Sequence, residues 1–248
     1  MIEPTSSIST SNAWAADGLT VVIGASGGLG AAWVRELGLR HGAQRVLGLS
    51  RQSQPPLDLT DESTIAAAAQ STAQWSQAQG QPLRALLVAT GFLHGPHGQP
   101  ERSFTQLDPG YLAHVFAINT IGPALVLKHF LPLLAKQGPV LAALVSAKVG
   151  SIGDNALGGW YGYRASKAAL NQIVKTASIE LARRNRQAAC LALHPGTVDT
   201  ALSQPFAKTG LQVRPADVAA SELLDVLQAC GPDKNGAFLD WKGEMVVW

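Results

Sequence analysis

The chain is poor in charge and in cysteine. Charged residues make up 15% of its 248 residues, and the formal net charge is only +2. That excess is too mild to imply a nucleic-acid partner. The longest basic run, Arg183-Arg184-Asn185-Arg186, fits the end of a helix, where cations suit the dipole. Two cysteines, Cys190 and Cys230, exclude a disulfide framework, and neither stands in a Cys-x-x-Cys pair or a Cys/His cluster of metal-ligand spacing. Both read as buried thiols of a reducing compartment, and no metal site is expected. An unbroken apolar run is missing as well. The most apolar stretch, Tyr111 to Leu134, is interrupted by His114, Asn119, Lys128 and His129, which argues against a membrane span. Residues 1–16 are rich in Ser and Thr and lack the basic start and apolar centre of a signal peptide. They are expected to form a flexible tail ahead of a single domain over 17–248, in a soluble, cytoplasmic protein.

What is present is a hydrophobic fraction of 46%, with 25 glycines and 14 prolines, a composition that suits a buried sheet punctuated by turns. Leu19 to Ile23 reads as a strand that runs through a glycine cluster into a helix over Leu29 to Arg40. Arg45 to Ser50 follows as a second strand, and Leu57-Asp58-Leu59 as a very short third, before a helix from about Asp61 with Thr60 as its N-cap. Further strands are expected at Leu83 to Thr90, Val140 to Ser146, Ala188 to Leu193 and Ala237 to Trp241. Helices are expected across Tyr111 to Ala135, Tyr161 to Arg183 and Pro215 to Leu227. Strands alternating with helices imply a Rossmann-type, doubly wound parallel sheet of about seven strands with helices on both faces.

The turn Gly24-Ala25-Ser26-Gly27-Gly28-Leu29-Gly30 lies between the first strand and the first helix. A nucleotide pyrophosphate needs a tight turn free of side chains and then a helix N-terminus with open N–H groups. At the end of the second strand, about 20 residues on from the glycines, dinucleotide folds commonly present an acid to the adenosine ribose. Here Ser50 and Arg51 stand in that place. A carboxylate would repel a ribose phosphate and a guanidinium can pair with it, so NADP(H) is expected over NAD(H). Tyr163 and Lys167 are four residues apart in a helical stretch and so share a face. A tyrosine ionises near pH 10, and an adjacent ammonium and an oxidised nicotinamide would both favour the phenolate, making the pair suited to exchange a proton with a carbonyl or an alcohol.

With these motifs together, the chain resembles the short-chain dehydrogenase/reductase family over nearly its whole length. Finer features resemble its carbonyl-reductase branch that includes the sniffer and C-factor proteins: Gly150-Ser151-Ile152-Gly153-Asp154-Asn155, Gly158-Gly159-Trp160-Tyr161-Gly162-Tyr163 and the terminal Asp240-Trp241-x-Gly243. The resemblance implies a cofactor turn at Gly24, Ser26, Gly28, Leu29 and Gly30, and adenine contacts at Asp58 and Leu59. It implies cofactor packing at Ala89, Thr90 and Gly91, and a nicotinamide segment at Pro195, Gly196, Val198 and Thr200. It also implies Asn119 as holder of a proton-relay water beside Tyr163 and Lys167, and assembly into a homodimer or homotetramer through the two long helices.

Two departures bear on activity. Val88-Ala89-Thr90-Gly91 keeps only the glycine of the family's Asn-Asn-Ala-Gly, and Ala147 falls on the site of the family's catalytic serine. Ser146, one residue earlier, is favoured slightly over Ser151 as the replacement, and a third reading is that neither serves. The expected activity is hydride transfer between nicotinamide and a small carbonyl or secondary alcohol. The alternative is a cofactor-binding regulatory or signalling protein with weak or lost catalysis. His94 and His97 read as solvated loop histidines or as lining of a substrate pocket, His194 as a packed residue, and Ala201 to Val213 as a mobile lid.

Overall fold

The computed structural model describes Trp14, residues 18–206 and residues 213–248. Most of the tail and the centre of the expected lid therefore lie outside the described residues. Six strands form one parallel sheet: β1 (Leu19–Ile23), β2 (Val46–Leu49), β3 (Leu83–Val88), β4 (Val140–Val145), β5 (Ala188–His194) and, at the far edge, a last strand Phe238–Asp240. A separate parallel pair, β6 (Thr197–Val198) and β7 (Val213–Arg214), sits beside it, which makes the last strand β8. The order in the main sheet is β2-β1-β3-β4-β5-β8. The chain winds outward on one side of β1 and then on the other, which puts a topological switch point between the carboxyl ends of β1 and β3.

Side-chain alternation sorts the strand residues between two cores. Val21 and Ile23, Leu86 and Val88, and Ala142 and Leu144 face one layer, made by α2 (Glu62–Gln79), α4 (Gly122–Phe130) and α5 (Tyr161–Arg184). Val22, Ala85, Leu87, Leu141 and Ala143 face the other, made by α1 (Gly28–His41) and α6 (Ala216–Ala229). Both faces being covered explains why the central strands read as nearly continuous apolar runs. Trp14 packs into the second core, 2% exposed, and its indole N–H donates to the Leu227 carbonyl at 3.1 Å. That residue of the expected tail is docked. Cys190 and Cys230 are buried free thiols.

The helix expected over Tyr111 to Ala135 is built in pieces: α3 (Pro109–Phe116), a π turn at Ala117–Ile121, α4, and a 3₁₀ turn at Leu131–Leu133. Val126 and Phe130 are completely buried. Each such side chain contributes about 1.5–3 kcal/mol, which outweighs the roughly 0.5–1.5 kcal/mol of a hydrogen bond displaced in the π turn. Pro109–Leu133 is long and apolar enough by length and composition to cross a membrane, but it packs into the first core as a core helix.

Two expectations are corrected here. Leu57-Asp58-Leu59 forms no strand: the Leu57 amide donates to the Ser50 carbonyl at 2.9 Å and the Asp58 amide to Thr64 Oγ1 at 2.9 Å, so the backbone closes a loop instead of extending the sheet. The N-cap of α2 is Asp61, whose carboxylate accepts from the Ser63 amide at 2.9 Å. Thr60 turns back instead, its amide and hydroxyl both donating to Asp58 Oδ1.

Candidate active site

Two hollows at the carboxyl ends of the strands, of about 550 and 460 Å³, share Ser26, Gly27, Arg51, Thr90 and Phe92, and so form one groove across the switch point. Gly24, Ser50, Asp58 and Leu59 line one half. Gly28, Leu29, Tyr163, Lys167, Val198 and Thr200 line the other, together with Ser146 and the Pro195-Gly196 turn. Ala89, Thr90 and Gly91 lie at the junction. Of the residues singled out for cofactor binding, Gly30 and Asn119 stand behind the lining.

The groove fits a dinucleotide. Gly24 has φ +87°, and a Cβ at Gly30 would lie 2.2 Å from the Gly24 carbonyl oxygen, so the turn closes only without side chains. The N-cap of α1 is Gly27, which has no side chain to satisfy the first-turn N–H groups, and no acidic residue opposes an anion there. Thr90 Oγ1 is a buried polar atom with no protein partner, a donor free for a ligand in the groove. Arg51 is exposed at the lip. Two hydrogen bonds from Thr60, the backbone one first, hold the Asp58 carboxyl below its ordinary range, and the Arg51 charge adds to them.

In the other half, α5 brings Tyr163, Lys167 and Asn171 to one face by their spacing of four. All three are buried. Lys167 Nζ donates to the Val145 carbonyl at 2.9 Å and lies 6.0 Å from the Tyr163 ring centroid. Burial governs both groups, pushing the Tyr163 hydroxyl up to about 12 and the Lys167 ammonium down to about 7. Desolvation penalises each charged form, and the Lys167 ammonium is directed at the Val145 carbonyl.

Asn119 sits in the π turn with no exposed surface. Its Oδ1 accepts from the Phe92 amide at 2.7 Å, and its Nδ2 donates to the Phe92 carbonyl at 2.8 Å and to Ser166 Oγ at 3.1 Å. It therefore ties the loop after β3 to α5. A Cβ at Gly91 would come within 3.7 Å of Lys167 Nζ and 3.8 Å of Asn119 Oδ1, so both side chains converge beneath that glycine.

The serines have different fates. Ala147 lines the groove. Ser146 also lines it, but its hydroxyl donates to Asn171 Oδ1 at 2.6 Å. Ser151 lies outside the lining and accepts from the Asp154 amide at 3.1 Å. His194 lines the groove with its buried Nδ1 unpartnered, and burial pushes it down to about 4, so the ring is neutral. His94 also lines the groove, donating from Nε2 to the Ala201 carbonyl at 3.0 Å. His97 stacks on His114 with ring centroids 3.8 Å apart.

Aromatic residues already noted in the sequence, together with Glu101 and Asn171, which sequence reasoning left out, complete the surround. Phe206 packs edge-on to both His94 and Trp160, at 5.3 and 5.1 Å, and Trp160 likewise to Tyr163, at 6.1 Å. The buried Glu101 carboxylate accepts from the Gly162 amide at 3.1 and 3.2 Å, capping the start of α5 where Trp160 supplies no side-chain cap. Asn171 was reachable from the sequence, two helical turns beyond Tyr163. Glu101 had no local signal, since it lies 61 residues away from the amide it caps.

A parallel sheet wound both ways from a switch-point groove is the dinucleotide-binding fold shared by pyridine-nucleotide oxidoreductases. The chain belongs to the short chain dehydrogenase family, whose sequence signature matches residues 19–210. It is 35% identical over 142 residues to C-signal of Myxococcus xanthus, a stretch covering 57% of this chain and 81% of that protein. Several other curated relatives are matched over little more than half their own length. Among solved structures, the NADPH-bound carbonyl reductase from chicken fatty liver superposes with a TM-score of 0.79 at 26% identity, covering 93% of this chain and 98% of that one. The carbonyl reductase Sniffer of D. melanogaster shares the fold, with a TM-score of 0.75 at 21% identity and coverage of 94% and 99%.

Proposed function

We propose that this oxidoreductase uses NADP(H) to reduce a small carbonyl compound, with Tyr163 as the proton donor. The observation that carries the reading is the convergence of buried Tyr163 and Lys167 on a groove whose other half is rimmed by Arg51. The C-terminal strand ends, the open N-terminus of α1 and the orphan Thr90 hydroxyl support a bound dinucleotide. Arg51 supports the phosphorylated form, as does the NADPH bound to the chicken enzyme.

When bound, the nicotinamide supplies the hydride that reaches the carbonyl carbon. Tyr163, held protonated at neutral pH by its burial, donates its hydroxyl proton to the carbonyl oxygen. Lys167 is the stronger acid of the two and restores that proton. Asn119, with its side chain engaged by Phe92 and Ser166, holds the loop after β3 against α5 and so supports the position of Tyr163 and Lys167. His94 lines the carbonyl end, and Phe206 packs edge-on to it and to Trp160. A phenol that stays protonated at neutral pH favours reduction, and alcohol oxidation, which needs the phenolate, gains as the pH rises.

A second reading has one observation in its favour. Ala147 leaves the groove without the family's serine at that position, and the Ser146 hydroxyl is engaged by Asn171. A cofactor-binding protein with weak turnover fits that geometry, and C-signal is a relative named as a signal.

The deciding experiment follows NADPH oxidation at 340 nm against ketones, aldehydes and quinones. Tyr163→Phe is expected to lower kcat on the order of 100- to 10,000-fold while NADPH still binds. Arg51→Asp is expected to turn the NADPH preference toward NADH. A wild-type rate that Tyr163→Phe leaves untouched overturns the mechanism, and an unchanged cofactor ratio overturns the role of Arg51. Binding without turnover on any of the carbonyls favours the second reading.

A further inference from the structure

The terminal Asp240-Trp241-x-Gly243 has no part in the chemistry above, yet it is tightly built. Asp240 Oδ1 accepts from the amides of Lys242 and Glu244 at 2.9 and 3.0 Å, and the Gly243 amide donates to the Asp240 carbonyl at 2.9 Å. This turn presents the Trp241 indole to Arg214, whose guanidinium carbon lies 3.9 Å from the ring centroid. One arm of the same guanidinium donates to the Glu222 carboxylate and the other to the Pro195 carbonyl oxygen. The Arg214 side chain is only 6% exposed.

We infer that Arg214, held flat by Trp241, positions the Pro195-Gly196 turn against the catalytic half of the cofactor groove. Pro195 and Gly196 line that half beside Tyr163 and Lys167 and do not line the half that holds Ser50 and Asp58. Gly196 has φ +71°, and a Cβ there would lie 2.6 Å from Arg214 Nη2 and 3.1 Å from Trp241 Cδ1, so the turn is seated directly on the clamp. The main chain of Arg214 holds the same segment a second time: it pairs with Val198 across β6 and β7, and its carbonyl accepts from the Asp199 amide at 2.8 Å. Stacking on a ring while reaching two acceptors in one plane requires the guanidinium, since a lysine ammonium presents no plane. Arg214 and Trp241 are therefore positioning residues, acting on bound cofactor through the turn.

The inference rests on the cofactor reading, and the test separates the two. Calorimetric titration of the full chain with NADPH is compared with titration by 2′-phospho-ADP-ribose, which lacks the nicotinamide, for wild type, Trp241→Phe, Trp241→Leu and Arg214→Lys. Trp241→Leu and Arg214→Lys are expected to weaken NADPH binding on the order of 10-fold and to leave the fragment unchanged. Trp241→Phe, which keeps an aromatic face, stays within about twofold of wild type. If wild type binds neither ligand, the cofactor reading falls. If wild type binds NADPH and both weakening variants match it, or lose the fragment equally, the clamp is overturned. Should Trp241→Leu fail to fold by thermal melting, Arg214→Lys against wild type decides alone.

Discussion

At the scale of single residues, the site is governed by which polar groups already have partners. Ser146 precedes Ala147 on the strand exit, so their side chains diverge, and the hydroxyl that would face a substrate from position 147 is replaced by a methyl group. Ala147→Ser is expected to raise kcat for carbonyl reduction by on the order of 10- to 100-fold, measured at saturating NADPH. Ser146→Ala should act on the fold instead. It leaves Asn171, whose Nδ2 already lacks a partner, with its Oδ1 stranded too. The expected loss is about 1–3 kcal/mol in denaturant unfolding, with kcat changed less than about threefold. A large fall in kcat without destabilisation would make Ser146 the substrate's hydrogen-bond donor. This distinction was not legible in the sequence, where Ser146 lies one residue before the alignment position and Ser151 four after it, and neither spacing shows which hydroxyl is already engaged. A side-chain partner on α5, 25 residues away, decides it.

At the scale of elements, α5 carries a buried ammonium, and its cost depends on pH. Lys167 is pushed down to about 7 by burial, from an ordinary value of 10.5. Between those values the unfolded chain retains a proton that the folded chain has released, so raising the pH favours the folded state. Stability is expected to climb from pH 7 to 9 with a slope approaching about 1.4 kcal/mol per pH unit. Above 9 the buried Cys190 and Cys230 thiols, both pushed up by burial, oppose the trend. Lys167→Met should flatten that window in chemical-denaturation curves, and an unchanged slope would assign it to another group.

The elements themselves were largely readable because the main-sheet strands are short apolar runs and α1, α2 and α3 begin at a glycine turn or an Asp cap. Leu57-Asp58-Leu59 misled because three apolar-flanked residues satisfy a strand pattern without showing what pairs with them. The cap of α2 was assigned one residue early for a related reason. Thr60 and Asp61 are both good caps, and Asp58 claimed the first. The π turn around Asn119 left no trace in the apolar periodicity, although such turns gather at functional sites.

At the scale of the whole molecule, the sheet gathers its chemistry at one end, and a third hollow, of about 360 Å³, lies elsewhere. It sits between the outer faces of α4 and α5, lined by Leu127, Leu131, Ile173 and Ala177 with Lys128 and Arg184 at its margins, and it contains no candidate site residue. The homo-oligomer expected from the family resemblance would bury this face. Ile173→Glu is therefore expected to halve or quarter the mass measured by light scattering, and an unchanged mass would move the interface elsewhere. The overall architecture was the most legible property of the sequence, since alternating strands and helices admit few parallel topologies. The long-range links, Glu101 to α5 and Trp241 to Arg214, were invisible for the same reason that they matter: each joins segments far apart in sequence.

The missing third strand gives residues 50–61 a freedom that a strand would deny them. A strand is bound to its neighbours by register, and one inserted or deleted residue turns every following side chain to the wrong face. The loop from Ser50 to Asp61 closes on its own hydrogen bonds and borders the sheet at an edge strand. Its exposed stretch around residues 51–56 can change length and charge while Leu57 stays in the core and β1 and β3 keep their geometry. The segment proposed to meet the adenosine end of a ligand is thus free of sheet register, so its exposed residues can vary while Leu57 and Leu59 stay packed on the core.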